Sequence, residues 1–331
     1  MRGAVDLAEV WRGGVLESVH RGHAVICDEN GGIVEAWGNP ETLVYPRSSA
    51  KFVQALALVE SGAADAFGLR KDQIALACAS HIGASYHTDR VQAWISDLGL
   101  SDAAFRCGPQ MPTDEEASRG LIKTDTSPCQ YHNNCSGKHS GFLTLGMHLR
   151  AGPEYVDIDH PVQIAVKEAF EEVTGVDSPG WGIDGCSAPN HQTTVRAMAH
   201  AMAKFATAGA RSGARDQAMV RIFDAVTTHP ELVSGNDKPC TELMRACGGQ
   251  VAIKGGAEAF YVASIPSKRM GVALKVADGS SRGSEVAIAA LLVRLGVLDP
   301  KHPVAARYLN APITNWRGIV TGELRAAAAL I

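Results

Sequence analysis

Apolar and polar residues follow a strand-like period at both ends of the chain and a helix-like period in the middle. Near the start, apolar runs at residues 23–27 and 33–37 flank a turn-forming segment at 28–32, which predicts a β-hairpin. After Gly248 the pattern predicts three more strands, at residues 250–254, 259–263 and 271–276. We therefore expect one antiparallel sheet assembled from the two ends of the chain.

Apolar residues recur every three to four positions through the middle of the chain, and Gly, Pro and Asn clusters separate the segments. The predicted helices span residues 48–61, 71–79, 87–98, 136–149, 161–174, 191–206, 215–227 and 241–247, with two more at 284–295 and 304–309. Residues 106–134 are rich in Pro, Thr and Asp, and they predict a long loop that carries function.

These elements predict an α/β fold of the α+β kind, in which a helical region is inserted into the sheet region. We expect residues 1–60 and 249–331 to form the sheet region and residues 61–248 to form the mainly helical region. The serine β-lactamases and penicillin-binding proteins have this architecture. The prediction is one compact unit with the active site at the junction of the two regions.

The bulk composition restricts the partners of the protein. The 331 residues are 46% hydrophobic and 20% charged, which is ordinary for a soluble globular protein. A net charge of −4 argues against nucleic acid or an anionic membrane as the main partner. No apolar run approaches the ~20 residues of a membrane helix, and acidic residues near the start argue against an export signal. We expect a cytoplasmic protein.

The first candidate for chemistry is a Ser-x-x-Lys pattern made by Ser48 and Lys51. On a helix these two side chains share one face, so that the hydroxyl and the amine can meet. A lysine that burial keeps neutral can take the serine proton and make a nucleophile, as in penicillin-binding proteins. The alternative interpretation is a serine that caps a helix, followed by a solvated lysine.

A second hydroxyl and amine are offered by Ser80, at a helix end or in a loop, and Lys254, at the end of a strand. Two glycines follow Lys254, and small residues there let a substrate approach the backbone. Separately, Ser80 is interpreted as a loop serine and Lys254 as a solvated lysine. Together with Ser48 and Lys51 they predict a site with two Ser-Lys pairs.

Cys135 and Cys186 each lie in a glycine-rich polar turn before a predicted helix. Helix N-termini favour thiolates, and two thiolates, one nitrogen and one open position suit a catalytic zinc ion. By chemistry alone the nitrogen is that of His139, since Lys138 can bind a metal only after it loses a proton. The alternative is two buried structural cysteines.

These segments together resemble the rhizobial-type L-asparaginases, and the match covers nearly the whole chain. The segments that carry the resemblance are residues 47–51, 80–81, 133–139, 184–186 and 254–256. The resemblance implies a serine β-lactamase-like fold, a homodimer, and the hydrolysis of L-asparagine to L-aspartate and ammonia.

The resemblance also implies roles for individual residues. It gives Ser48 with Lys51 and Ser80 with Lys254 as the catalytic pairs. For zinc it implies the ligands Cys135, Lys138 and Cys186, which leaves His139 as a group that contacts the substrate. The remaining implied residues are Arg47 and Asn134 at the substrate and Asp184 behind the metal ligands.

In the mechanism that we expect, neutral Lys51 takes the proton of Ser48, and the serine attacks the side-chain amide of asparagine. Three alternatives remain open. A glutaminase differs by one methylene of substrate, a β-lactamase or peptidase shares the Ser-x-x-Lys unit, and a zinc-binding module would have no turnover. Assays with both amides, acylation by a penicillin, and thiol-dependent metal loss separate them.

Overall fold

Eight strands from the first and last parts of the chain form one antiparallel sheet. The structure is a computed structural model that describes residues 1–331. The strand order is β11-β12-β1-β2-β10-β9-β8, and β3 pairs with β2. The strands are β1 Val5–Arg12, β2 Val15–Asp28, β3 Ile33–Trp37, β4 Leu43–Val44, β5 Trp181–Ile183, β6 Pro189–His191, β7 Thr193–Thr194, β8 Ala252–Gly256, β9 Phe260–Ile265, β10 Met270–Val276, β11 Asn310–Thr314 and β12 Val320–Ala326.

Most of the helices lie between the two groups of strands along the chain. They are α1 Lys51–Gln54, α2 Leu56–Glu60, α3 Ala63–Ala66, α4 Lys71–Ala77, α5 Ser85–Asp97, α6 Glu115–Lys123, α7 Ser136–His148, α8 Pro161–Thr174, α9 Val195–Thr207, α10 Ala214–Thr228, α11 Pro230–Val233, α12 Pro239–Ala246, α13 Ser281–Arg294 and α14 Pro303–Leu309. None combines the length and the apolar character that a membrane crossing requires. The predicted sheet from both chain ends, with helices between, is confirmed.

The chain divides into two units, each with its own core. The sheet unit contains Met1–Ser49, Thr193–Thr207 and Glu242–Ile331, and the helical unit contains Ala50–Gln192 and Ala208–Thr241. These ranges differ from the predicted regions: residues 50–60 belong to the helical unit, whereas residues 193–207, which include α9, and residues 242–248 belong to the sheet unit.

Helix α9 belongs with the sheet because it packs directly on β10, β2 and β9. A glycine permits the close approach: a Cβ atom at Gly271 would collide with the backbone of Ala199 and Ala203. Periodicity in α9 reports an apolar face, but it does not say which layer covers that face. The sequence pattern therefore assigned the helix to its neighbours along the chain.

Helix α7 places several polar side chains in the interior of the helical unit. Every residue from Ser136 to Gly146 is buried, although the run contains Lys138, His139 and Thr144. A buried polar group costs free energy unless it finds a partner, so these side chains must contact other polar groups.

Three features depart from the sequence analysis. The predicted helix at residues 48–61 is a 3₁₀ turn, Arg47–Ala50, followed by the short helices α1 and α2. The predicted loop at 106–134 contains α6, whose start is capped by the Asp114 carboxylate, which accepts from the N–H of Ala117 at 2.9 Å. The third difference is that β1, β11 and β12 were not predicted as strands.

Candidate active site

Lys51 lies at the centre of the buried polar cluster of the helical unit. It begins α1, and its side chain is 1% exposed. Its amine donates to the carbonyl oxygen of Ala79, to Ser80 Oγ at 3.0 Å and to Cys135 Sγ at 3.1 Å. An amine that is held at three points has lost its rotational freedom before a substrate arrives.

Ser80 follows α4 and is held from two directions. Its backbone N–H donates to the carbonyl oxygen of Val233 at 2.9 Å, and its hydroxyl contacts the Lys51 amine. The side chain is half-buried, so the hydroxyl is not sealed in the core. The Lys51 amine thus contacts Ser80, and the pairing of Ser80 with Lys254 stays a prediction of the sequence analysis.

The two cysteines expected to bind metal do come together. Cys135 lies immediately before α7, and Cys186 lies in the turn between β5 and β6. The interaction of the two thiols raises the pKa of Cys135 and lowers that of Cys186 well below its ordinary value. Lys138 adds to this second effect, because its amine donates to Cys186 Sγ at 3.1 Å.

Lys138 is the positive partner of the Cys186 sulfur. Burial opposes the charge on this lysine, but the neighbouring Cys186 and Cys135 sulfurs outweigh burial and raise its pKa. Asp184 acts in the same direction through its charge. Cys186 and Lys138 therefore form a buried thiolate–ammonium pair.

His139 is fully buried, and its tautomer follows from its neighbours. The Tyr155 hydroxyl accepts from the N–H of Arg106 at 2.7 Å, so its own proton goes to His139 Nδ1 at 2.9 Å. The neutral ring then carries its proton on Nε2, close to the Cys186 sulfur. Burial lowers the pKa of His139, which keeps the ring neutral. Tyr155 was missed, because this contact joins distant parts of the sequence.

Asn134 lies in the loop before Cys135 and is half-buried. Its backbone N–H donates to Gln110 Oε1 at 3.0 Å, and its carbonyl oxygen accepts from the N–H of His81 at 3.0 Å. The loop that carries Cys135 is thus fixed through its backbone, which leaves the Asn134 side chain available for other roles.

In the sheet unit, a tight turn carries Arg47 and Ser48. Arg47 has a φ angle of 52°, which is strained for a residue with a side chain, and Ser48 is half-buried. The next residue, Ser49, is fully buried and donates to the carbonyl oxygens of Lys254 at 3.1 Å and Phe260 at 2.9 Å. These bonds fix the turn to the ends of β8 and β9.

Lys254 is buried rather than solvated at the end of its strand. Its side chain is 1% exposed, and its amine donates to the carbonyl oxygen of Gly255 at 2.6 Å. The following Gly256 packs so closely that a Cβ atom there would lie 2.8 Å from the carbonyl oxygen of Pro46. The glycine is needed for this close packing of the protein's own backbone, and the approach of a substrate to it stays a prediction of the sequence analysis.

The family follows from comparison with known proteins. A profile described as L-asparaginase II matches residues 8–326. The chain belongs to the L-asparaginase II family. The predicted family is confirmed. The prediction that the protein is an amidohydrolase is confirmed as well, because the family is one of amidohydrolases. A comparison with curated proteins gives no match.

Several solved structures resemble this L-asparaginase II family member at low identity. The protein Mglu in its glutamate form gives a TM-score of 0.48 at 14% identity, over 84% of this chain and 61% of that chain. A class C β-lactamase gives 0.41 at 14% identity, over 84% of this chain and 90% of that one. A β-lactamase from Mycobacterium bovis gives 0.35 at 12% identity, over 82% and 94%. This chain spans 60–67% of the length of the Mglu chains.

Proposed function

We propose that the protein hydrolyses the side-chain amide of L-asparagine to L-aspartate and ammonia, with a serine nucleophile and Lys51 as the base. One observation carries the proposal: the buried Lys51 amine lies 3.0 Å from the Ser80 hydroxyl, and Lys51 follows Ser48 by three residues. Membership of the L-asparaginase II family supports the choice of an amide substrate. Serine becomes a nucleophile when a neighbouring base takes its proton, and a lysine amine can do so.

We assign the attack to Ser48, which precedes Lys51 by three residues and follows the strained residue Arg47. Strain of this kind clusters at functional turns, where it fixes the direction of a side chain. Ser80 has the complementary task of holding the Lys51 amine in position. In this proposal Arg47 and Asn134 bind the polar groups of the substrate, and Lys254 supplies positive charge near Ser48.

The proposed reaction has two stages, formation of an aspartyl ester on Ser48 and its hydrolysis. The Ser48 proton moves to Lys51 as the Ser48 oxygen bonds to the amide carbon. The carbon–nitrogen bond then breaks, and the nitrogen takes the proton from Lys51 and leaves as ammonia. Water, deprotonated by Lys51, adds to the aspartyl ester, and its proton returns to Ser48 as aspartate leaves.

Acid quenching during turnover, followed by digestion and mass spectrometry to locate the esterified serine, tests the assignment, and hydroxylamine should release the adduct as aspartate hydroxamate. We expect the aspartyl adduct on Ser48, no adduct in Ser48→Ala, and ammonia release lower by about 10²–10⁴-fold in that variant. The control is Ser61→Ala, which removes an exposed hydroxyl outside this turn and should keep turnover. An adduct on Ser80 would move the nucleophile there, and wild-type turnover in Ser48→Ala would exclude Ser48.

We also propose that zinc binds to Cys135, Lys138 and Cys186. No group of three His, Cys, Asp or Glu side chains is arranged to hold a metal ion, so a third protein ligand has to be of another type. Lys138 fits, since its amine already contacts Cys186 and a bound cation favours loss of its proton. Bound zinc would supply a Lewis acid that orients the amino-acid end of the substrate.

Metal content after dialysis tests the ligand set. We expect one zinc ion per chain in the wild type and none in the double variant Cys135→Ser/Cys186→Ser. Cys247→Ser is the matched control, because Cys247 is a buried cysteine of the sheet unit. Because ligands must lose protons, zinc should also dissociate as the pH falls. Stoichiometric zinc in the double variant would contradict the assignment.

The preference for asparagine over glutamine is part of the proposal, and ammonia release from both amides tests it. One methylene is worth about 1–3 kcal/mol of discrimination, so some activity on glutamine is compatible with the proposal. Glutamine turnover that exceeds asparagine turnover would make the protein a glutaminase instead. The homodimer and the cytoplasmic location stay predictions of the sequence analysis.

A further inference from the structure

His81 follows Ser80 directly, and the proposed mechanism does not use it. Its side chain is 2% exposed, and both ring nitrogens have partners. Nδ1 accepts from the backbone N–H of Gly83 at 3.1 Å, and Nε2 lies 2.8 Å from Ser136 Oγ. Ser136 begins α7, immediately after Cys135. The imidazole therefore joins the segment that carries Ser80 to the segment that carries Cys135.

The contacts fix the tautomer of the ring. A backbone N–H can only donate, so Nδ1 presents its lone pair to Gly83. Nε2 therefore carries the proton and donates it to the Ser136 hydroxyl. That hydroxyl donates in turn to the carbonyl oxygen of Tyr131 at 3.0 Å. The chain of donors ends on a backbone carbonyl, so no member of it lacks a partner.

The backbone of His81 makes the same connection a second time. Its N–H donates to the carbonyl oxygen of Asn134 at 3.0 Å. On the other side of the ring, His87 stacks with a centroid distance of 4.8 Å and an interplanar angle of 14°. The stacked ring prevents the imidazole from turning. Burial holds the pKa of His81 well below its ordinary value, so the ring stays neutral and does not exchange protons with the substrate.

We propose that His81 is a positioning residue, which keeps the Ser80 hydroxyl and the Cys135 sulfur on the Lys51 amine through its bond to Ser136. The inference rests on the proposed function, in which these groups act together. A lysine amine with three partners is correctly placed only while the segments that supply those partners keep their mutual distance. His81 is the side chain that spans the two segments.

Two substitutions separate the two bonds of the imidazole. A glutamine nitrogen can take the place of Nε2, so His81→Gln keeps a donor for Ser136. His81→Asn keeps an acceptor for Gly83 but is too short to reach Ser136. We expect kcat to fall by about 10²-fold in His81→Asn, the loss that follows a misplacement of about 1 Å, with KM nearly unchanged. His81→Gln should restore most of kcat.

The double variant His81→Asn/Ser136→Ala tests whether the two residues act through one bond. Ser136→Ala alone should lower kcat as His81→Asn does, and the double variant should lower it little further. The pH profile of kcat/KM should keep its midpoints in all three variants, because a positioning residue does not titrate in the reaction. Fully additive losses, a shifted midpoint, or full activity in His81→Asn would overturn the proposal.

A measurement without substrate keeps the inference separate from the proposed function. The ¹⁵N shifts of His81 should report a neutral ring protonated at Nε2 from pH 5 to 8 in the wild type. Unfolding free energies of the same three variants should be non-additive. If the wild type released no ammonia from any amide, the proposed function would fail while these two results still supported the bond. Protonation at Nδ1 or additive unfolding free energies would exclude the bond itself.

Discussion

Both units bury lysines, and one lysine from each unit, Lys51 and Lys275, shows that the partners differ in kind. In the helical unit, Lys51 contacts a serine hydroxyl and a cysteine sulfur as well as one carbonyl oxygen. In the sheet unit, Lys275 is 7% exposed and donates to the carbonyl oxygens of Glu258 and Val276, the latter at 2.9 Å. The difference lies in whether the amine reaches a group that can react.

The comparison teaches that burial alone does not identify a catalytic lysine. Burial lowers the pKa of Lys275, as a general base requires, yet its bonds serve the backbone. Its amine holds the turn at Ala257–Ala259, where Glu258 and Ala259 have φ angles of 59° and 58°. Residues with side chains adopt such angles only when the surroundings enforce them. We interpret Lys275 as structural and Lys51 as chemical.

The largest expected effect separates the two lysines directly. Lys51→Met should lower ammonia release by about 10²–10⁴-fold, because it removes the base. Lys275→Met should affect turnover far less but lower the free energy of unfolding by about 1–3 kcal/mol, because two buried carbonyl oxygens lose their donor. Steady-state kinetics and urea unfolding of both variants check this. Equal losses of turnover at equal stability would remove the distinction.

The next effect is a loss of stability at low pH. Burial lowers the pKa of four histidines in the helical unit and of one in the sheet unit. The four are His81, His87, His139 and His191, and the fifth is His23. The pKa of His87 falls from 6.5 to about 4. As the pH drops through that window, the unfolded state binds the proton first, so the free energy of unfolding decreases.

His87 alone should account for roughly 3 kcal/mol of this loss. Replacing it with a group that does not titrate, in His87→Gln, should flatten the curve of unfolding free energy against pH between pH 6.5 and 4. Urea unfolding at several pH values measures the slope, with His148→Gln, at a half-buried position, as the control. An unchanged slope in His87→Gln would contradict the interpretation.

The smallest effect concerns the turn before Lys51. Ser49→Ala removes one hydroxyl that donates to two buried carbonyl oxygens, of Lys254 and Phe260. We expect a loss of about 1–2 kcal/mol of unfolding free energy, compared with almost none for the exposed Ser61→Ala. Thermal and urea unfolding check the difference. A neutral Ser49→Ala would mean that the turn is held by its backbone alone.

Local patterns predicted most elements, but they failed where distant segments decide the structure. Helix α8 and strand β3 have the expected bounds, since Pro161 starts the one and a turn precedes the other. Strands β1 and β12 were not predicted, and they pair with each other across almost the whole chain. Strand β11 was also missed, although it pairs with the next strand, β12, because Pro312 weakens the strand pattern of this edge strand.

The residues of the candidate site were identified from motifs, but their contacts were not. Spacing along the chain suggested Ser48 as the partner of Lys51, whereas the bonds of its amine to Ala79, Ser80 and Cys135 cross long stretches of sequence. His81 lies beside a recognised serine, and only its bond to Ser136 gives it a role. Sequence patterns can reveal which side chains carry chemistry, but long-range packing decides which of them meet.

The pairing of β1 with β12 has a consequence for synthesis on the ribosome. Ala8 pairs with Ala326, and β2 finds its partner β10 only after most of the chain has been translated. The helical unit, whose contacts are closer along the chain, can form before β1 and β2 have all of their partner strands. Completion of the large sheet should therefore be the slow step. A circular permutant that begins at an exposed loop of the helical unit would make β12 and β1 neighbours along the chain, so that they could pair as a hairpin soon after both are made.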